Sequence, residues 1–369
     1  MRAKHILPLT GIRLFAAVWV VAFHLQFTLN ALFPALNWLA TITAIGYQAV
    51  ALFFLLSGFV LSHNYFENYS LSQHHKFIVL RWVRLWPVHI VVLLFLIAGP
   101  DITLLHGQQL KEFFEEATMT RYWYHTDLQW NGPAWSISCE WLAYLALFPL
   151  AFLAFKRLKS PALLAGIVIG CILLQTSFQS YMTNIKLPGR WPAIVFLFLA
   201  GSALYRLHCL IKNPPVQAIT IVALALAAGY IAFTKSLPVS ILYLAFALLI
   251  FGLAYERGLI AKILSTKFAV HGGLASYSLY MTHYLVIRSY QCFFLHWLPA
   301  SAWLRLTILL AVLGAITALA LLVHRYIEEP ARQTWTGWFH PSFQCQRNEA
   351  ISGPTLGENA PPVPSTAGK

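Results

Sequence analysis

Residues 9 to 31 read LTGIRLFAAVWVVAFHLQFTLNA, an apolar run interrupted only by Arg13, His24 and a few uncharged polar groups, with no acid anywhere in it. At 1.5 Å per residue such a run crosses roughly 30 Å of hydrocarbon as a single helix. Nine more runs follow, near residues 41 to 62, 82 to 99, 134 to 155, 161 to 178, 191 to 207, 214 to 233, 237 to 254, 272 to 296 and 303 to 324. The sequence therefore predicts an all-α fold, a polytopic membrane bundle of about ten transmembrane helices. Composition agrees: 59% of the 369 residues are apolar and 10% charged, with a mean hydropathy of +0.66, whereas soluble domains are about 25% charged.

The net charge of +13 does not point to nucleic acid, because the basic residues sit in short loops between apolar runs and not along one stripe. They report topology. With the N-terminus in the cytoplasm, 17 of the 25 Lys and Arg fall in inside segments and 5 in outside ones, which predicts both termini cytoplasmic. Arg13 and His24, with no Ala-x-Ala site after them, favour a retained first helix over a cleaved leader. The longest outer loop, about 100 to 133, carries five acids with Phe113, Phe114 and the Tyr122-Trp123-Tyr124 cluster; it is expected to lie on the membrane surface. Two regions result, a membrane domain over 1–330 and a disordered cytoplasmic tail over 331–369, the last stretch being rich in Pro, Gly, Ser and Thr. Five scattered cysteines form no CxxC or Cys/His spacing, so no metal site is expected.

Charged groups inside a bilayer are costly and are functional candidates by default. Arg13 and His24 are eleven residues apart, which returns to within about 20° of the same helix face after a rise of about 16 Å. His24 lies about seven residues below the outer end of its helix, and Glu140 about six residues below the outer start of the fourth, so both sit at a depth of about 9 to 10 Å. A carboxylate there would fix the imidazole tautomer and raise the basicity of its free nitrogen; mutual satisfaction as helix glue is the plainer alternative. His283 and Arg288 are about 140° apart on the ninth helix, and a single histidine such as His283 also serves as an interhelical hydrogen-bonding group. At the inner side Arg81 and Arg84 share a face of the third helix. With Arg13 they make a site for phosphate or pyrophosphate, the alternative being an ordinary positive flank.

Taken in order, several segments resemble acyltransferase family 3, integral-membrane acyltransferases of bacterial surface sugars and related acceptors. They are Leu9 to Ala17 with His24; Phe53-Phe54-Leu55-Leu56-Ser57-Gly58-Phe59; Arg81 and Arg84 with Leu85 and Pro87; Trp135-Ser136-Ile137-Ser138-Cys139-Glu140 with Tyr144; Ser276 to Tyr280 with His283; and Glu328 with Pro330. Members often carry acids at the positions of Thr10, Ala51 and Trp141, which suggests a different acceptor or fewer supporting hydrogen bonds here. The 39 residues after 330 are too few for the esterase-like domain some members have.

The resemblance implies transfer of an acyl group, most often acetyl from acetyl-CoA, to a sugar hydroxyl by a protein of the bacterial inner membrane. Its implied partners are acyl-CoA, a glycan or glycolipid acceptor and membrane lipid. Arg81, Arg84 and Arg13 would then hold the anionic end of the donor, and the pantetheine arm would reach His24. His24 would act as general base with Glu140 orienting it, or as an acyl-carrying nucleophile. Ser57, Ser136, Trp135 and His283 are the expected substrate-side residues, with Trp130 and Tyr144 as further aromatics near the outer mouth. A proton-coupled transporter or flippase, which also buries Arg, His and Glu, is the competing class.

Overall fold

The computed structural model describes residues 5–97, 109–127, 130–185, 190–234, 236–294 and 301–339. Among these the chain is helical and contains no strand. Six helical stretches are long and apolar enough to cross a membrane: Leu7–Leu32, Ala40–Tyr65, Leu71–Ile97, Ala134–Phe155, Pro161–Gln179 and Ala302–Thr334. Three shorter apolar helices, Val195–Leu210 (α9), Val216–Ala232 (α10) and Ser240–Leu253 (α11), and the more polar Ser276–Phe294 (α14), occupy the other expected positions.

In chain order α1 is Leu7–Leu32, α2 Ala40–Ala44, α3 Ala49–Tyr65, α4 His74–Ile97, α6 Ala134–Leu142, α7 Phe148–Phe155, α8 Pro161–Ile185, α12 Leu259–Leu264, α13 Lys267–Leu274, α15 Ala302–Val323 and α16 Glu329–Phe339. α16 carries the chain past the boundary expected at 330; 340–369 of the expected tail lie outside the described residues. The start of α1 marks the near end of the bundle and the start of α6 the far end.

Burial sorts the helices. The apolar window of Ala40–Tyr65 is 67% buried, against 28% for Pro161–Gln179 and 22% for Ala302–Thr334. The stretch that holds α3 is therefore the most buried of the six, while α8 and α15 turn Leu163, Ile169, Leu173, Leu310 and Leu321 outward, as helices solvated by lipid do. α3 comes close to α9 at Gly58 and Gly201: a Cβ on either would fall on the other helix's backbone, at Phe198 O or Leu55 O. Small residues let membrane helices approach to backbone contact, and here that contact fixes the rotation of α3 next to Ser57.

Two local departures shape the interior. A π-turn over Ala143–Leu147 links α6 to α7, and a second over His324–Glu328 links α15 to α16; Pro149 and Pro330 follow two residues after each. Proline has no N–H for the carbonyl four residues back and crowds it. The widened turn accommodates this, and His74 Nε2 donates to the orphaned Leu145 carbonyl at 3.2 Å. α4 begins at His74, eight residues before the expected start at 82. Its polar first turn, His74-His75-Lys76, and the arginines further on interrupt the apolar run that a hydropathy window detects, and this earlier start places Arg81 and Arg84 inside the helix and not at its rim.

At the far end the expected surface segment is only partly described, since 98–108 lie outside the described residues. α5, Gln109–Ala117, exposes Leu110 and Phe114 and buries Glu116. It docks on α4, where Trp86 Nε1 donates to Ala117 O at 3.0 Å and His89 Nε2 to Glu116 O at 2.7 Å.

Candidate functional site

The charged interior has two layers joined by α1. In the layer toward the far end, His24 and His283 face one another, His24 Nδ1 lying 3.2 Å from His283 Nε2. His24 Nδ1 is also 3.0 Å from Val20 O, and His283 Nδ1 is 3.1 Å from Leu279 O. A carbonyl only accepts, so both Nδ1 atoms carry hydrogen. His283 Nε2 then holds a lone pair directed at His24 Nδ1–H. His24 Nε2 is left with a lone pair and no partner among the described residues, on a ring that stays partly accessible. That is the tautomer a general base requires. Tyr284 packs on the His24 ring at 5.5 Å, and Tyr280 on His283 at 5.9 Å.

Glu140 does not orient His24. Its hydrogen bonds come from Ser57 Oγ, at 3.2 Å, and from Tyr144 OH. Equal depth was the argument for pairing Glu140 with His24, but depth says nothing about which faces meet, and α14 supplies His283 to that position instead. Glu140 belongs to the second layer, where its charge and that of Glu328 act on Arg13 and Arg84. Glu328 accepts from Ser278 Oγ at 2.6 Å and His324 Nδ1 at 2.8 Å.

The arginines of this layer are treated differently. Arg81 Nη2 donates to Tyr65 OH at 2.7 Å, and its guanidinium stacks on Tyr65 and Phe77 at 5.3 and 5.7 Å. Arg84 is the foremost like charge acting on Arg13, and Glu140 and Glu328 act on both, yet neither arginine makes a hydrogen bond or ion pair with a described residue. Both are enclosed by protein and still partly accessible, which requires an opening between the helices. Two guanidiniums with unused donors at one opening can hold an anion such as a diphosphate-like group.

The remaining expected residues divide. Ser57 serves Glu140. Ser136 Oγ donates to Pro133 O at 3.1 Å and lies 2.8 Å from Tyr280 OH, securing the start of α6 beneath the histidines. Trp135 lies under the Arg190 guanidinium at 5.6 Å, and Trp130 is buried, with its carbonyl 3.4 Å from Arg288 Nη1. Tyr144 is not at the far mouth: ten residues into the stretch begun by Ala134, it is about 15 Å deeper and belongs to the arginine layer. Sequence reading missed the two π-turns and the Ser278–Glu328–His324 cluster. Pro149 and Pro330, each shortly after an acid inside an apolar run, were the available signal.

The far-end loop is held by charge. Arg121 is 1% exposed and lies 2.7 Å from Asp127, 3.6 Å from Glu112 and 3.7 Å from Glu115. Burial pushes the Glu116 carboxyl up to about 8 despite the opposing pull of Arg121, and burial likewise raises the Tyr122 phenol.

Residues 7–325 match the family described as "Acyltransferase domain". The acyltransferase MdmB of Streptomyces mycarofaciens is 32% identical over 169 residues, 42% of each chain. The peptidoglycan O-acetyltransferase OatA of Listeria monocytogenes is 26% identical over 329 residues, 77% of this chain and 50% of the relative. The chain thus matches half or less of the length of these curated relatives. No solved structure matches it. With nearly the whole helical bundle inside the match, and the motif-bearing residues gathered in its interior, the chain belongs to acyltransferase family 3.

Proposed function

We propose that this protein is a membrane O-acyltransferase that moves an acyl group, acetyl from acetyl-CoA in the simplest case, to a hydroxyl of a cell-surface or exported glycan. The activity borne in the name of OatA supports the reaction class. The observation that carries the reading is the geometry of α1: His24 offers an unpartnered Nε2 lone pair, and eleven residues before it on the same stripe Arg13 joins Arg84 in a site with unused donors.

In this reading ten helices span the inner membrane of a bacterium with both termini cytoplasmic, 1–330 forming the membrane domain and 331–369 a cytoplasmic tail. The near end faces the cytoplasmic donor. Arg13 and Arg84, with Arg81 beside them, hold its pyrophosphate, and the uncharged arm reaches about 16 Å toward His24. His24 Nε2 takes the proton from the acceptor hydroxyl as the oxygen bonds to the thioester carbon. The carbon–sulfur bond breaks, and the imidazolium returns the proton to the leaving thiolate. His283 accepts from His24 Nδ1–H throughout and holds the ring in the active tautomer, while Trp135 and Ser136 border the acceptor's approach. No metal is needed for this chemistry.

The test uses the protein in nanodiscs with radiolabelled acetyl-CoA and cell-envelope glycans, comparing wild type with His24→Ala. Label is expected in a glycan fraction with wild type only. Full transfer by a folded His24→Ala protein overturns the role of His24, and a folded wild type that neither binds nor turns over acyl-CoA moves the reading to a transporter.

A further inference from the structure

Outside the layers described, the near ends of α3, α9 and α11 border an open cleft of about 440 Å³ lined by His63, Tyr205, His208, Lys212 and Tyr255 among others. That volume lies within the range of small-molecule sites, about 300–1,000 Å³. Its walls are aromatic and fixed. Tyr255 OH donates to Ile211 O at 2.6 Å, so its ring cannot swing away, and the His208 ring packs on it at 4.4 Å. Tyr205 is held edge-on by Phe59 at 5.7 Å and Phe66 at 5.8 Å, and it faces His63 at 5.7 Å.

Lys212 stands at the exposed rim and makes no ion pair with a described residue. His208 Nδ1 is buried without a hydrogen-bond partner among the described residues, so the ring keeps polar capacity to spend. Glu67 is the acid in range of Tyr205 and Cys209, and Arg206 offsets it there.

The cavity adjoins the start of α1, where Leu7 N donates at 3.4 Å to Glu256, the residue after the lining Tyr255; Arg13 follows six residues on in the same helix. Flat aromatic walls and a cation at the rim suit a nucleobase that carries a phosphate: stacking on such walls contributes through any base, and the ammonium meets the anion as a point charge.

We propose that this cavity binds the 3′-phosphorylated adenosine of the acyl-CoA donor, the base lying against Tyr205 and the packed His208–Tyr255 pair and the 3′-phosphate at Lys212. The inference rests on the acyl-CoA reading above and deepens it. With the pyrophosphate on Arg13 and Arg84 and the pantetheine arm running toward His24, the nucleoside must lie at the near end beyond the arginines, the end of the bundle that carries this cavity.

The experiment measures kcat/KM in phosphatidylcholine nanodiscs for acetyl-CoA and for acetyl-pantetheine, which lacks the nucleotide, with wild type, Lys212→Glu and His208→Ala. The preference for acetyl-CoA is expected to fall about tenfold in each variant. An unchanged preference in both overturns the proposal. In parallel, binding of adenosine 3′,5′-bisphosphate to the same nanodiscs is followed by calorimetry; saturable binding to wild type that is weakened at least tenfold in Lys212→Glu supports the site, and its absence from folded wild type overturns it. Binding that appears only when phosphatidylglycerol is omitted, and is lost as that lipid is added, assigns the cavity to an anionic lipid headgroup and also overturns it. Failure of the acyltransferase reading looks different: neither donor is turned over by wild type, while the calorimetric arm still decides the cavity.

Discussion

Arg121, beneath the far-end loop, sits among Asp127, Glu112 and Glu115 at 2.7 to 3.7 Å, whereas Arg13 and Arg84, deep in the helical interior, make no hydrogen bond or ion pair with any described residue. Both sites remove guanidinium from bulk water, and removal without compensation costs several kcal/mol. The loop compensates with its own carboxylates, which makes Arg121 part of the fold. The interior leaves that compensation to Glu140 and Glu328 at longer range, which leaves the donors of Arg13 and Arg84 available to an anion. The contrast teaches that burial of an arginine alone does not mark function; the disposition of its donors does.

The most severe test of that division is Arg121→Ala. It strands three acids around a buried gap, and breaking such a cluster costs about 3–5 kcal/mol. The expected result is a large loss of thermal stability in detergent, with the KM for acyl-CoA unchanged in protein that remains folded. A raised KM with normal stability breaks the comparison, because it moves Arg121 into the binding machinery.

The same loop supplies a pH dependence. Glu116 keeps its proton in the folded state up to about 8 but loses it near 4.5 when unfolded, so between those values the folded protein binds more protons. Stability must fall as pH rises through that window and level off above 8, with a limiting slope of about 1.4 kcal/mol per pH unit. Melting curves at pH 6, 7 and 8 are expected to descend for wild type and to flatten for Glu116→Gln. Parallel curves for the two proteins remove Glu116 as the source.

Next in size is Arg84→Ala. Loss of a bidentate guanidinium contact to a diphosphate is expected to raise the apparent KM for acyl-CoA about tenfold, roughly 1.4 kcal/mol, with the folded state intact because Arg84 bonds no described residue. Destabilisation comparable to that of Arg121→Ala, with KM unmoved, erases the distinction between the two sites.

How much of this was legible depends on the kind of information each feature carries. Apolar runs placed α1, the Ala134–Phe155 stretch and α15 to within two or three residues, because lipid solvation demands continuous apolar length. The eleven-residue spacing linked Arg13 and His24 because helical phase is local. The start of α4 at His74 was hidden by its polar first turn and by Arg81 and Arg84 within it. Which helices face one another is not written in depth, so equal depth pairs His24 with Glu140, whereas its neighbour is His283, 259 residues away in sequence. The π-turns were hidden for another reason: a change from i+4 to i+5 pairing leaves hydropathy periodicity almost untouched, although Pro149 and Pro330 marked the strain that causes it.

The smallest expected effect separates the two layers most finely. Ser57 Oγ donates to Glu140 at 3.2 Å in a part-buried setting, and Tyr144 OH donates to the same carboxylate oxygen. Ser57→Ala removes one of the two donors and is expected to cost about 1 kcal/mol, with Tyr144 still holding the group. The consequence for kinetics depends on which layer Glu140 serves. If it tempers the arginine pair, a carboxylate loosened from Ser57 shifts the field at Arg13 and Arg84; the KM for acyl-CoA then moves a few-fold and kcat stays, since His24 draws its orientation from Val20 and His283. If Glu140 reaches His24 during turnover, kcat falls and the KM does not. The geometry places Glu140 with the arginines, and a kcat defect in Ser57→Ala would assign it to the histidines instead.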